Sequence, residues 1–261
     1  MTKQSKILAA GAAILILGAL MALNNVYHFT GGHGRVVDAL IARNVAALGG
    51  ADAWESLESL RLGGQMDLGQ GMHVPYVIEQ KRSGKKCLEF EFDGDTAIQC
   101  VDGESGWKLL PFRGRTRPEA MTKQEYEAMA DSATIDGLLF NSAERGYKVK
   151  QIGKEMIAGR AAVKLQVTLT SGALRWVYID EETALEIKME STRVLRGKER
   201  LVETYYYDWQ ETDGLLIPRR QETRMDGDDE SHFVTVDGVV SNPLLDDSRF
   251  AMPATGGGKS S

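Results

Sequence analysis

The chain has 261 residues, a 43% hydrophobic share that suffices for one sizeable core, and a formal net charge of −6. Lys, Arg, Asp and Glu are interspersed along it, and without a basic stripe nucleic acid is excluded as a partner.

The chain opens with Met1 to Lys6, carrying Lys3 and Lys6, followed by an unbroken apolar run from Ile7 to Leu23. A positive start before an apolar stretch is an export signal. Residues 1–29 are therefore read as a signal peptide or signal anchor. No clean A-x-A site lies near Met21 to Leu23, and Val26, Tyr27 and Phe29 extend the run towards spanning length. Two outcomes stay open: release into the periplasm after cleavage, or tethering to the inner membrane by residues 7–29. Residues 30–34, TGGHG, have linker composition.

From Arg35 to Leu48, apolar residues at Val37, Leu40, Ile41, Val45 and Leu48 follow helical spacing, and Gly49-Gly50 ends the helix. A second short helix is expected over Ala51 to Leu57. From Leu60 onward, short β segments alternate with turn residues. Strands are expected over 59–68, 72–81, 86–92, 95–101, 106–110, 148–157, 160–170, 174–180, 184–194, 199–210, 215–225 and 231–240. The joins, such as Asp93-Gly94, Ala158-Gly159 and Thr212-Asp213-Gly214, are hairpin chemistry. A long antiparallel meander has to curl, or use helices, to cover its apolar face.

The Asp93-Gly94 hairpin also sets a register. With those two as loop residues, Phe92 faces Asp95, and counting outward sets Cys87 opposite Cys100 on a closely spaced non-hydrogen-bonded pair. They are the only two cysteines. In an exported protein this pair is expected to form a disulfide; in a cytosolic one they stay thiols.

Arg113 to Gly146 interrupts the meander. Met121 to Ala130 is a helix with Thr122 as N-cap and Glu125 at the capping-box position, and Ile135 to Phe140 adds a second short apolar element. Tyr126, Met129, Leu138, Leu139 and Phe140 favour burial of this insert over the sheet. Residues 35–253 form one domain, and the Gly- and Ser-rich 254–261 form a disordered tail.

Catalytic constellations are scarce. His28, His33, His73 and His232 are scattered without metal-ligand spacing, so neither a metal nor another cofactor is expected. Gly103-Glu104-Ser105-Gly106 lacks the G-x-S-x-G spacing of a nucleophile elbow, and Ser105 reads as a turn residue. The acidic runs Glu181-Glu182, Asp228-Asp229-Glu230 and Asp246-Asp247 read as solvated surface. What remains is alternating apolar and aromatic content: Leu88, Phe90 and Phe92; Trp107 and Leu109; Val163 to Leu169; Trp176 and Tyr178. Such strands make a core, and in a curled sheet they also line cavities for apolar ligands, for which ten methionines give an adaptable wall.

The segments LGGADAWESLESLRLGGQMDLGQGMHVPYVIEQKR, IQCVDGESGWKLLPFRG, YIDEETALEIKME, VETYYYDWQETDGLLIPRRQETR and LDDSRFAMP resemble the bacterial outer membrane lipoprotein-sorting protein-like family. That family is similar to the periplasmic lipoprotein carrier LolA. The likeness runs from about Arg35 to Pro253, and its most specific parts are the DGESGW turn-strand and the YxDWQETDGLLIP hairpin. It implies an α+β fold: a curled antiparallel sheet, or half-open β-barrel, with an N-terminal helix and the insert Thr122 to Phe140 covering the concave face. It also implies non-enzymatic binding of lipid or lipoprotein acyl chains in the periplasm. No catalytic residue is carried over.

The sequence is thus read as an exported acyl-chain binder serving lipoprotein sorting or envelope transport. Phe90, Phe92, Trp107, Leu109, Tyr126, Met129, Leu139 and Trp176 are the expected cavity lining. The alternative is an envelope protein-interaction or lipid-sensing module that pairs through exposed hairpin edges.

Overall fold

The computed structural model describes residues 33–69, 71–195 and 198–254. The export segment, the start of the linker and nearly all of the Gly- and Ser-rich tail lie outside the described residues. Among the described residues no helix is long and apolar enough to cross a membrane.

Helix α1 spans Arg35–Ala47 and α2 spans Ala51–Glu55. Gly49 ends α1 at a φ of 112°, and a Cβ there would meet the Gly214 carbonyl oxygen at 1.9 Å. Only glycine allows this approach, which lets the Leu216 amide donate to the Leu48 carbonyl. Trp54 of α2, fully buried, donates its indole N–H to the same carbonyl.

Thirteen strands follow: β1 (Ser59–Asp67), β2 (His73–Lys81), β3 (Lys85–Phe92), β4 (Asp95–Val101), β5 (Gly106–Leu110), β6 (Arg115–Ala120), β7 (Lys148–Ile157), β8 (Arg160–Thr168), β9 (Leu174–Asp180), β10 (Glu186–Leu195), β11 (Lys198–Thr212), β12 (Leu215–Met225) and β13 (His232–Ser241). They form one antiparallel meander in the order β6-β5-β4-β3-β2-β1-β13-β12-β11-β10-β9-β8-β7. β6 and β7 end the sheet, so it is open rather than closed into a barrel. Helix α3 (Lys123–Ala130) interrupts the meander between those two edges.

β6 departs from the sequence reading, which left Arg115 to Ala120 inside the helical interruption. Its sequence RTRPEA has no inward apolar face, and Pro118 is tolerated because this is an edge strand. The expected second element at Ile135 to Phe140 is a series of turns, held by the Arg145 guanidinium against the Asp136 and Phe140 carbonyls. Helix α3 has the expected start: the Thr122 hydroxyl accepts from the Glu125 amide, and the Glu125 carboxylate accepts from the Thr122 amide.

The contacts divide into two compact units, residues 58–135 with 237–254, and residues 33–57 with 136–236. In the second unit α1 packs Val37 and Leu40 onto Val149, Val163, Leu165, Val167, Val177 and Ile179. Asn44, buried on the same helix, donates to the Ala184 carbonyl. His33 is tied down here as well: the Val149 amide donates to its Nδ1, so the ring proton sits on Nε2 and is donated to Ser142 Oγ at 2.9 Å. With that tautomer the imidazole cannot take a proton from Ser142, and the pair is a structural clasp rather than a nucleophile and base.

Farther along this unit, Glu186 sits at the irregularity where β10 meets β9. Burial pushes its carboxyl up to about 8, and burial, then Glu186 itself, pushes the Tyr206 phenol upward. The folded state therefore holds this proton more tightly than the unfolded chain, whose ordinary value is 4.5. The contribution to stability is full below about 4.5 and declines as pH rises towards about 8. Glu186→Gln is expected to remove up to about 1.4 kcal/mol of that decline per pH unit. Urea melts at pH 5 and 7.5 check it, and an unchanged pH slope would count against a buried neutral carboxyl.

Candidate functional site

Within the first unit the alternation of β3 sorts its residues onto two faces. Lys86, Leu88, Phe90 and Phe92 lie on one, Cys87, Glu89 and Glu91 on the other. The register carries this across the neighbours. Gln80, Ile78 and Tyr76 of β2 stand beside Lys86, Leu88 and Phe90. Val101, Gln99 and Ala97 of β4 stand on their other side, and Lys108 of β5 lies beside Gln99.

Along the strands the first face changes character. At one end Tyr76, Phe90, Phe92 and Phe112 are buried, and the Phe112 ring lies 6.1 Å from Phe90 and 5.0 Å, edge-on, from Phe92. At the other end are Gln80, Lys86, Gln99 and Lys108, all with relative exposures of 9% or less. Buried lysines need partners, and β6, α3 and the turn after α3 supply them. Lys108 Nζ is 2.5 Å from Glu125 and 3.5 Å from Glu119. Lys86 Nζ donates to the Ser132 carbonyl at 3.2 Å and to its hydroxyl at 3.1 Å. Gln80 donates to the same carbonyl at 3.0 Å. Burial pushes the Glu125 carboxyl up, but the hydrogen bonds from Lys108 and Thr122 outweigh it and hold its pKa below the usual value.

The insert thus covers the lysine end of this face through polar contacts. α3 itself buries no residue; Tyr126 and Met129 are half-buried on it, and the Tyr126 hydroxyl donates to the Gly103 carbonyl at the rim. Ser132, Ala133 and Ile135, just beyond the helix, are buried.

The opposite face is covered by the C-terminal segment. Cys87 and Cys100 face each other across β3 and β4 and are joined by a disulfide. Trp107 pairs with Cys100, and Leu109 with Ile98. Phe250, fully buried, packs on Cys87, Cys100 and Trp107, while its carbonyl accepts the Trp107 indole N–H at 2.8 Å. Ion pairs hold the segment down: Arg249 to Glu79 and Glu89, each at 2.7 Å, and Asp247 to Lys81 and Lys85, each at 2.6 Å. Beside them lies a polar surface groove of about 500 Å³ lined by Lys85, Asp102, Glu104, Asp247, Ser248 and Ala251. At its edge the Asp102 carboxylate accepts the Glu104 and Ser105 amides and the Ser105 hydroxyl, which makes Ser105 part of the turn.

The structure therefore divides the expected lining. Phe90 and Phe92 share one face, and Tyr126 and Met129 lie half-buried on α3, which is fixed at the lysine end of it. Trp107 and Leu109 stand on the reverse of the same strands, because β5 pairs them with the cysteine face. Leu139 belongs to the core of the second unit, packed with the α1 residues. Trp176 flanks a separate cluster of Ile157, Ala162, Tyr178 and Ile187 on the side of β9 away from α1. Lys86, Gln99 and Lys108, which the sequence reading passed over, are brought together beneath the insert. The signal was present, since Lys86 occupies an inward position of the alternation that carries Leu88, Phe90 and Phe92.

No protein-family model matches the sequence, and no curated protein matches it. Solved structures do. A domain described as outer membrane lipoprotein-sorting, from Vibrio parahaemolyticus, superposes with a TM-score of 0.57 at 14% identity, covering 81% of this chain and 94% of the other. The chain has the LolA-like fold. A LolA superfamily protein from Nitrosomonas europaea gives 0.53 at 13% identity over 79% and 96% of the two chains. A DUF1329 family protein from Desulfovibrio piger gives 0.54 at 12% identity over 84% and 98%. Within this LolA-like fold, Glu125 of α3 and Ser132 just after it clasp the two buried lysines on the face that also carries Phe90 and Phe92.

Proposed function

We propose that the protein is a non-enzymatic envelope protein that holds the acyl chains of lipids or lipoproteins against the aromatic face beneath α3, in lipoprotein sorting or envelope transport. One observation carries the reading. In a LolA-like fold, the buried aromatic residues Tyr76, Phe90, Phe92 and Phe112 share one sheet face with Lys86 and Lys108, and at that lysine end a helix that buries no residue of its own is held by a few hydrogen bonds and ion pairs. Lys86 and Lys108 are buried, so lifting the cover leaves two lysines short of partners, and it opens where an incoming ligand offsets that cost, as an acyl chain does through the apolar surface it buries. Export places the protein in the periplasm, free or tethered to the inner membrane by residues 7–29.

Strand addition at the sheet edges is the less favoured use. β7 carries exposed Lys148, Lys150 and Lys154 and a register irregularity at Gln151 and Gly153, while β6 carries Arg115, Arg117 and Pro118. Charges, bulges and proline are the means by which edges resist pairing.

Phe92→Asp places a charge on the covered face and is expected to lower uptake of a fluorescent acyl probe about tenfold or more in a variant that keeps its circular dichroism. Undiminished uptake would remove this face from the site. Leu139→Asp is no such test, since Leu139 packs with the α1 residues in the other unit and not on this face.

A further inference from the structure

The covered face is built like an amphiphile. Its aromatic end, Tyr76, Phe90, Phe92 and Phe112, runs along the strands into a donor-rich end made by Lys86, Gln99 and Lys108. Gln99 pairs laterally with Lys108 and with Leu88, and Lys86 lies two residues from Leu88 on the same face. The three residues thus share one face of β3, β4 and β5. Two of them are cationic, and each is nine-tenths buried or more.

The acceptors these lysines meet now are a carboxylate oxygen of Glu125 on Lys108, with Glu119 of β6 farther off at 3.5 Å, and the Ser132 carbonyl and hydroxyl on Lys86. All are oxygen acceptors. A second, independent observation is that Gln99 Nε2, a buried donor, has no hydrogen-bond partner. The leftover donor stands next to Lys108, while the leftover acceptor Gln80 Oε1 stands next to Lys86; an acceptor with more oxygens than the insert offers would satisfy Gln99.

The geometry points to a head-group site for an anionic amphiphile: Lys86, Gln99 and Lys108 bind a carboxylate or phosphate head, whose acyl chain lies along Phe90 and Phe92, and Glu125 of α3 is the internal competitor that the head displaces. The inference rests on the acyl-binding reading above and narrows it to acidic lipids. Displacement exchanges one charge-assisted hydrogen bond for another, so charge is conserved at Lys108 while the insert is freed to lift. A neutral glyceride head offers Lys108 no negative charge and must uncover the site without replacing the Glu125 pair.

Three palmitoyl probes compared on the full, delipidated chain test this: palmitate, palmitoyl lysophosphatidate and monopalmitoylglycerol. The anionic probes are expected to bind about tenfold or more tightly than the glyceride, and Lys108→Gln to lower their affinity about tenfold while leaving the glyceride within about twofold. The tighter of the two acids identifies carboxylate or phosphate as the head. Glu125→Gln, which keeps both lysines, is expected to raise the ratio of anionic to neutral affinity severalfold, and it carries the test if Lys108→Gln fails to fold. Equal binding of all three probes, or a ratio that Glu125→Gln leaves unchanged, would overturn the head-group site while the acyl-binding reading stands. No binding of any probe would overturn both.

Discussion

Replacing Phe250 by Ala is expected to lower the unfolding free energy by about 3–5 kcal/mol, because a fully buried aromatic ring leaves a cavity that its rigid surroundings cannot close. Those surroundings are a disulfide, the Trp107 indole and β-strand backbone, none of which can move into the space. The ring also positions the Phe250 carbonyl that accepts the Trp107 N–H, and Cys87 Sγ lies 3.3 Å from the Arg249 carbonyl just before it. Arg249→Ala removes two partly exposed ion pairs and is expected to cost only about 1–2 kcal/mol. Urea unfolding of the two variants separates them. If Phe250→Ala costs no more than Arg249→Ala, the ring is not the anchor of the C-terminal segment.

Removing the disulfide gives the second large effect. The bridge closes a loop with a sequence separation of 13, and Cys87→Ala with Cys100→Ala is expected to cost about 3 kcal/mol through the freer unfolded chain. Both sulfurs are buried beneath Phe250, so reductant reaches them only when the segment lifts. Phe250→Ala is therefore expected to speed reduction by dithiothreitol in the absence of denaturant, alongside its effect on stability. Protein taken from the periplasm is expected to show no thiol to labelling reagents. Two labelled thiols in that material, or a reduction rate indifferent to Phe250→Ala, would contradict this account of the covered face.

Much of this architecture is legible in the chain because hairpins are local. The two-residue Asp93-Gly94 loop fixes the register of β3 against β4, and with it Cys87 opposite Cys100. Thr122 and Glu125 announce the start of α3 three residues apart. β6 is not legible, because an edge strand with one exposed face needs no apolar alternation, and Arg-Thr-Arg-Pro carries none. The site was legible only in part. Alternation correctly places Trp107 with Leu109, and Phe90 with Phe92, but says nothing of whether two strands turn the same face to one partner. That follows from register across the intervening turn: Trp107 stands beside Cys100, and Cys100 beside Cys87, one residue out of phase with Phe90. The polar end of this face was hidden by a preference for apolar residues. A lysine in the inward phase of Lys86, Leu88, Phe90 and Phe92 is costly unless paired, and that cost was the available clue.

The Leu139 and Trp176 placements show a second limit. Both are apolar residues on or next to well-formed elements, yet α1 draws Leu139 into its own packing, and alternation along β9 turns Trp176 with Tyr178 to the face opposite Val177 and Ile179, away from α1. Sequence separations of this size leave such assignments to tertiary packing.

The acyl-binding reading is tested most directly by native mass spectrometry on residues 31–261, exported to the periplasm behind a cleavable signal and purified without detergent. The account predicts a bound mass in the lipid or acyl range that disappears on organic extraction and returns when an acyl probe is added. A clean mass of the bare chain that takes up no added acyl probe would contradict it: the aromatic face would then be filled by its own side chains, with α3 a fixed part of the core.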